Sequence, residues 1–570
     1  MIFKAYNNWL EHATDDKDLT EELIAIKGND DEISDRFYKS LEFGTAGLRG
    51  VIGAGTNRMN IYTVGAASQG IAEYVNSITK NGKIAIAYDS RIKSDLFAKH
   101  AATVFAANGL TVYIYPELAP TPMLSFAVRH LKCDAGVVIT ASHNPSKYNG
   151  YKAYGPDGCQ FGPDASEYVL SIVNKVDIFS GVKTCDYDQA VSEGKIKLIE
   201  NDVFEAYYKA VMKQSVADSS YNLDNINVIY TPLNGAGNKP VREILNKIGV
   251  KNISVVKAQE LPDGNFPTCP YPNPEIRQTF ELALEDAKTN KADLLLATDP
   301  DSDRVGIAVY HKGEYTLMTG NDVGSLLLNY LLTRKTELGA MPNNPVAVKT
   351  IVSTNLVNFI AKDFGCTLKE VLTGFRFIGE QIGILEQKGE IDRYILGFEE
   401  SYGYLAGGYV RDKDAVVASM LICEMCSYYK SKGMTLVDTL NSLYEKYGYI
   451  FNCQKSIVCE GMGGMEKMAD SMNNLRQNPP KEIGGSKVVK IVDYKVSLST
   501  NLKSGEKQEI TLPKSNVLSY YMENGCQALV RPSGTEPKIK IYIMAVSNNI
   551  DTSKSLADDI TNSMTDLLNL

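Results

Sequence analysis

Three times along this chain a short apolar run ends in a polar, glycine-rich turn and gives way to a helical pattern. Residues 83–88 (KIAIAY) read as a strand, 93–108 as a helix, 111–115 as a second strand and 135–140 (AGVVIT) as a third. The rhythm restarts with 227–230, 253–256 and 293–297, and again with 346–348, 367–371 and 394–398. Near-continuous apolar strands need cover on both faces, and helices between them supply it. The pattern predicts an α/β protein with three similar α/β domains and mostly parallel sheets. After residue 449 the runs alternate more, at 451–459, 486–496, 525–530 and 538–546, with helical patterns at 465–478 and 552–568. That predicts a C-terminal α+β domain. The expected domains are residues 1–210, 211–320, 321–450 and 451–570.

With 570 residues, 44% of them hydrophobic, there is material for several cores. Lys and Arg number 59 against 68 Asp and Glu, a formal charge of −9. This balance argues against nucleic acid or an anionic membrane as partner and leaves room for small anions in a local basic pocket. Residues 1–26 read as an acidic amphipathic helix, with no basic region followed by an apolar core. The longest apolar stretch, 415–426, is broken by Glu424 and falls short of the roughly 20 residues that span a bilayer. The expected location is the cytosol. Cys423 and Cys426 form a C-x-x-C pair inside a helix-like apolar pattern, which suits buried thiols. Of the five histidines only His143 lies near a motif, which argues against a multi-histidine zinc site.

Four segments carry chemistry. Thr140-Ala-Ser142-His143-Asn-Pro145 begins where the AGVVIT strand ends, and in open α/β sheets ligands gather outside the carboxyl ends of strands. Ser142 on such a turn can be approached in line, Pro145 and Gly150 shape the backbone of the loop that follows through residues 148–152, and Lys152 can return to the same pocket; a Ser/Asn-rich surface turn is the plain alternative. Next, Asp299, Asp301 and Asp303 at i, i+2 and i+4 face one side if the chain is extended. Clustered carboxylates repel one another unless a cation neutralises them, and oxygen-only ligands favour Mg²⁺. An EF-hand fails here, since Arg304 and Tyr310 stand where Gly and Glu are required. The third segment, Gly397-Phe-Glu399-Glu400-Ser401, joins carboxylates to a hydroxyl and suits recognition of vicinal sugar hydroxyls, and Asp412-Lys413-Asp414 follows it as a source of a cation. The fourth, Arg531-Pro-Ser533-Gly534-Thr535-Glu-Pro-Lys538-Ile-Lys540, offers hydroxyls, a glycine backbone and cations for a phosphate. It lacks the ending of a nucleotide P-loop. A looser glycine-rich segment at residues 43–50 carries Arg49, which either faces a phosphate or sits on a surface loop.

Together these segments resemble the α-D-phosphohexomutase superfamily. FGTAGLRG, TASHNP, TDPDSDR, TGFRFIGE, GFEESYG and RPSGTEPKIK occur in the family's order from Phe43 to Lys540. The length and the GFEESYG segment look most like the bacterial phosphoglucomutase branch, which is related to phosphopentomutases and to glucose-1,6-bisphosphate synthase. The resemblance implies four domains around a central cleft, each contributing one loop. It implies that Ser142 is phosphorylated and, with Asp299, Asp301 and Asp303, holds one Mg²⁺. Glu399 and Ser401 would hold sugar hydroxyls, and Arg531, Ser533, Gly534, Thr535 and Lys540 the phosphate that does not move. Lys152 or His143 would transfer the proton, with Arg49, Arg304 and Lys413 near the charges and Thr373, Gly374 and Arg376 beside the substrate. Two positions depart from the family pattern. Arg376 stands where many relatives carry Lys, and Phe375 replaces residues that elsewhere help select the sugar.

The implied reaction is reversible conversion of α-D-glucose 1-phosphate to glucose 6-phosphate through a glucose 1,6-bisphosphate intermediate, with that bisphosphate as priming activator. Phosphopentomutase, phosphomannomutase and glucose-1,6-bisphosphate synthase activities are the neighbouring alternatives. A phosphatase using Asp299 as nucleophile would leave the TASHNP and RPSGTEP segments without a role. A Ser-His-Asp hydrolase is disfavoured, because His143 directly follows Ser142 and no G-x-S-x-G elbow surrounds it.

Overall fold

The structure is a computed structural model that describes residues 1–44, 47–459, 463–533 and 538–569. The chain forms two compact units. The first comprises Met1–Gly320, Ile378–Leu396 and Ser401–Thr435; the second comprises Asn321–Phe377, Gly397–Glu400 and Leu436–Leu570.

In the first unit, the runs around Ser142 build a six-stranded sheet in the order Leu48–Val51, Tyr148–Tyr154, Ala135–Ile139, Lys83–Tyr88, Thr111–Ile114 and Ile196–Leu198. The last four strands are parallel to one another. Every residue of Ala135–Ile139 is buried, as expected of a strand covered on both faces. Helices Ile61–Ile78 and Ser94–Ala107 help bury it, and their Ile71, Phe97 and Phe105 meet Ile84, Ile86 and Val137 in one core. A second sheet runs Glu314–Met318, Val305–His311, Leu294–Thr298, Asn227–Thr231 and Asn252–Val255. Its last three strands are parallel, and its first two return antiparallel. Both sheets are therefore mixed, with a parallel centre and an antiparallel edge.

Two local expectations are corrected. The single helix expected over residues 1–26 is two helices, Ile2–His12 and Lys17–Ala25, followed by a third, Asp30–Phe37. The Asp16 carboxylate accepts the Asp18 N–H and restarts the helix, as an N-cap does. The loop expected around Tyr148–Lys152 is instead the strand Tyr148–Tyr154, antiparallel to Ala135–Ile139, with Lys152 opposite Val138. Gly150 allows this close pairing, since a Cβ there would lie 2.5 Å from the Thr140 carbonyl oxygen.

The first unit also holds helix Ala415–Ser431, in which Cys423 and Cys426 are buried free thiols. In the second unit, Val346–Thr350 pairs in parallel with Thr367–Val371. The C-terminal part is an antiparallel sheet that includes Tyr449–Val458, Lys538–Ser547, Gln527–Pro532, Leu518–Met522 and Ser486–Asp493. Helices Gly464–Gln477 and Ile550–Leu568 pack Met468, Met472, Ile560 and Met564 onto Ile541 and Ile543. This is the α+β arrangement expected from the alternating runs. Among the described residues no helix is long and apolar enough to cross a membrane.

Candidate active site

Ser142 lies just beyond the carboxyl end of Ala135–Ile139, at φ +53°, in the left-handed region that non-glycine residues seldom occupy. Holding it there costs about 1–3 kcal/mol, which surrounding bonds must offset. Its N–H donates to Thr140 Oγ1 at 2.8 Å. Its hydroxyl donates to Asp299 Oδ2 at 2.9 Å and lies 3.1 Å from His143 Nδ1. The serine is 3% exposed, so the hydroxyl is held for a partner and is not lost to bulk water.

The three aspartates do not lie along an extended segment. They occupy a tight turn between Leu294–Thr298 and Val305–His311, closed by Ser302 N–H to the Asp299 carbonyl at 2.9 Å and by Ser302 at φ +50°. This turn gathers one carboxylate oxygen from each of Asp299, Asp301 and Asp303 within 4.8 Å of one another, all buried. Asp299 Oδ1 accepts the N–H groups of Asp303 and Arg304 at 3.1 and 3.0 Å. Asp301 Oδ2 accepts from Lys152 Nζ at 2.8 Å and Thr121 Oγ1 at 2.7 Å, while its Oδ1 is buried with no hydrogen-bond donor among the described residues. A hard cation is the partner such an oxygen lacks. The donor set therefore fits a divalent metal.

The electrostatics follow from burial and crowding. Burial, and then the neighbouring Asp301 and Asp303 charges, push the Asp299 carboxyl well above the usual carboxylate range. Burial also works against ionised Asp301, but the Lys152 ammonium overcomes it and holds that carboxyl low. Asp303 is likewise kept low against burial and the Asp301 charge, by Lys413, Lys152 and Arg304. Lys413 Nζ lies 3.2 Å from Asp303 and 2.9 Å from Asp412. Burial lowers the Lys152 ammonium's affinity for its proton, yet Asp301 and Asp303 raise it overall. His143 is held neutral by burial and then by the Arg304 and Arg49 charges. Arg304 pairs with Glu275 at 2.7 Å, and Arg49 Nη1 donates to Asn144 Oδ1 at 3.2 Å on the serine loop.

The first unit thus brings together Ser142, His143, Lys152, the three aspartates, Arg304 and Lys413, with Arg49 tied to the serine loop. Ser401, half-buried, belongs to the same unit. In the second unit the Gly374 N–H, at φ +123°, donates to Glu399 Oε1 at 2.8 Å, which sets Thr373 and Gly374 beside the buried Glu399. The Arg376 guanidinium lies over the Phe377 ring at 4.6 Å. Arg531 and Lys540 face each other across paired strands, and the Ser533 N–H donates to the Lys538 carbonyl at 2.8 Å. Gly534 and Thr535 lie outside the described residues.

Thr121 and Asp412 escaped the sequence reading. Thr121 opens a helix after Pro120 and reaches Asp301 only through the tertiary fold. Asp412 orients Lys413 while accepting from Tyr154 Oη at 2.7 Å and Gln160 Nε2 at 3.1 Å. Its signal was the Asp412-Lys413-Asp414 triplet, read only as a source of cations.

Comparison with known proteins supplies the family. Phosphoglucomutase/phosphomannomutase α/β/α domains I, II and III match residues 40–178, 205–313 and 319–447. The chain is 37% identical over 544 residues to a phosphoglucomutase of Staphylococcus saprophyticus, covering 95% of this chain and 97% of that one. It is 38% identical over 552 residues to a phosphoglucomutase of Staphylococcus aureus, covering 95% and 96%. A crystal structure of a phosphoglucomutase/phosphomannomutase family protein from Burkholderia thailandensis superposes with a TM-score of 0.67 at 16% identity, covering 92% of this chain and 97% of that one, and shares the fold. Matched by all three domains and nearly end to end by such relatives, and holding a serine against a carboxylate cluster, the chain belongs to the phosphoglucomutase/phosphomannomutase family of α-D-phosphohexomutases, in its bacterial phosphoglucomutase branch, and is a mutase, an isomerase.

Proposed function

We propose that the protein interconverts α-D-glucose 1-phosphate and glucose 6-phosphate, with Ser142 carrying the phosphoryl group between turns of the cycle. The observation that carries this reading is the hydroxyl of Ser142 held 2.9 Å from Asp299, within a carboxylate cluster balanced by Lys152 and Lys413. Phosphoserine 142 gives its phosphoryl group to the free hydroxyl of the sugar phosphate. The glucose 1,6-bisphosphate so formed turns over, and its other phosphoryl group returns to Ser142. The proton of the attacking sugar hydroxyl passes to Lys152 or His143: His143 is held neutral and can take it directly, whereas Lys152, kept an ammonium by Asp301 and Asp303, can take it only after those charges are drawn to the metal. Asp299, Asp301 and Asp303, with an oxygen of the phosphoserine, would hold one Mg²⁺, which neutralises charge on the transferring phosphoryl group. Glucose 1,6-bisphosphate would prime the enzyme.

Thr373, Gly374, Arg376, Glu399 and Ser401 would face the sugar. Arg531, Ser533, Gly534, Thr535 and Lys540 would hold the second phosphate, and Arg49, Arg304 and Lys413 would balance the first. The four-domain division at 1–210, 211–320, 321–450 and 451–570 suits this scheme, with one loop per domain. A phosphatase with Asp299 as nucleophile is disfavoured, because it leaves the Ser142 and Arg531 segments without a role.

The test is turnover of glucose 1-phosphate with Mg²⁺ and catalytic glucose 1,6-bisphosphate, beside mannose 1-phosphate and ribose 1-phosphate. The reading expects the highest kcat/KM for glucose 1-phosphate. A preference for either other sugar moves the assignment to that activity. Glu399→Gln lowers kcat/KM roughly 10- to 100-fold, the cost of one hydrogen bond to a charged group. A Glu399→Gln enzyme of full activity would remove Glu399 from the sugar site.

A further inference from the structure

The turn after strand Lys83–Tyr88 is bound into the serine loop by contacts that the proposed chemistry does not use. The Arg91 side chain is fully buried and pairs through Nε with Asp89 Oδ2 at 3.3 Å. Its Nη1 donates to the carbonyls of Pro145 and Tyr148, both at 3.0 Å. Its Nη2 donates to the carbonyls of Ser142 and Asn144, both at 2.5 Å. All four terminal hydrogens thus end on main-chain oxygens of residues 142–148. The guanidinium also lies over the Phe266 ring at 5.1 Å.

Asp89 completes the second half of the device. Its Oδ1 accepts the Arg91 N–H at 3.0 Å and the Ser94 hydroxyl at 2.8 Å. Its Oδ2 accepts the Thr140 hydroxyl at 2.6 Å, and that same Thr140 oxygen accepts the Ser142 N–H at 2.8 Å. The left-handed backbone of Ser142 is therefore gripped from both sides: Thr140 holds its N–H and Arg91 its carbonyl. These bonds hold the two peptide groups flanking Ser142 and with them the direction of its Cα–Cβ bond, from which Oγ reaches Asp299 Oδ2 at 2.9 Å.

The geometry points to Asp89, Arg91 and Thr140 as positioning residues that aim Ser142 Oγ for in-line phosphoryl transfer. The inference rests on the reading of Ser142 as the phosphoryl acceptor. Only a forked, planar cation delivers four donors in this arrangement, so lysine, with three donors on one nitrogen, is no substitute. A displacement of Oγ by about 1 Å is enough to cost on the order of 100-fold in rate.

The experiment separates aiming from folding. Wild type, Arg91→Lys, Thr140→Val and Thr140→Ser are each loaded with glucose 1,6-bisphosphate and Mg²⁺. Phosphoserine per chain is counted by intact mass, and the transfer rate per phosphorylatable serine is followed in a single turnover. The inference expects Arg91→Lys to load fully but transfer about 100-fold more slowly, with KM within about threefold. It expects Thr140→Val to lose about 10-fold and Thr140→Ser to recover wild-type rate, a rescue that Thr140→Val supports even if Arg91→Lys does not fold. If activity falls only because fewer chains load, at an unchanged rate per loaded serine, Arg91 and Thr140 serve the fold alone and the inference is overturned. A wild-type chain that forms no phosphoserine overturns the reading of Ser142 itself, a separate outcome.

Discussion

Ser142→Ala abolishes mutase turnover, with a loss on the order of 10⁵-fold or more in kcat, and leaves the fold intact. The size follows from removing the group that bonds to the transferring phosphorus, since deleting a covalent nucleophile costs far more than deleting a binding contact. The fold survives because alanine loses only the Oγ bonds to Asp299 and His143, whereas the Arg91 and Thr140 bonds use the Ser142 main chain. Turnover measured against circular dichroism of the same sample checks both halves. Full activity in Ser142→Ala would transfer the chemistry to another nucleophile.

The second large effect is loss of the metal or of one of its ligands. Asp301→Asn, or chelation of the wild type, lowers kcat on the order of 1,000-fold, because charge neutralisation at a phosphoryl group contributes several kcal/mol. The two treatments part on stability. Chelation leaves Lys152 paired with Asp301 and Asp303, while Asp301→Asn takes away one of those anions and leaves a buried ammonium with a weaker partner. Asp301→Asn therefore melts lower than the chelated wild type. The same cluster makes metal affinity depend on pH. Burial and the crowding of Asp301 and Asp303 raise the Asp299 carboxyl, so a proton competes with the metal there over a higher pH range than at an ordinary carboxylate. Affinity, read by titration calorimetry in two buffers, strengthens as pH rises above the ordinary carboxylate range, with release of a proton. A folded-state pKa raised in this way stabilises the metal-free chain below the ordinary carboxylate pKa. That stability is lost as pH rises through the raised value, where added metal restores it.

What was legible in the sequence divides along physical lines. Strands such as Lys83–Tyr88 and Ala135–Ile139 announce themselves, because burial on both faces demands an unbroken apolar run. Ser142 and the three aspartates were legible by residue type and by their place after such runs. Tyr148–Tyr154 was not, since Asn149, Gly150 and Lys152 break any apolar pattern and the strand exists through its partners Ala135–Ile139 and Leu48–Val51. The turn at Asp299–Arg304 was missed for a related reason: three aspartates suggest shared facing, but the hairpin with Val305–His311 bends them inward. Asp89 and Arg91 follow a strand end, as Ser142 does, yet nothing local says that Arg91 reaches residues 142–148. Thr121 meets Asp301 across 180 positions, a contact that only the tertiary fold of the first unit creates. The split of the N-terminal helix was readable, for Asp16 is a good N-cap, but the acidic pattern around it ran on without a break.

The most direct test of the account is the site of phosphate on the chain during turnover. The protein is mixed with glucose 1,6-bisphosphate and Mg²⁺, quenched, digested and mapped by mass spectrometry. The account predicts one phosphate per chain, on the peptide carrying Ser142, and its disappearance when glucose 6-phosphate is added in excess without bisphosphate. Phosphate on Asp299, or an active chain that never carries phosphate on Ser142, would contradict it.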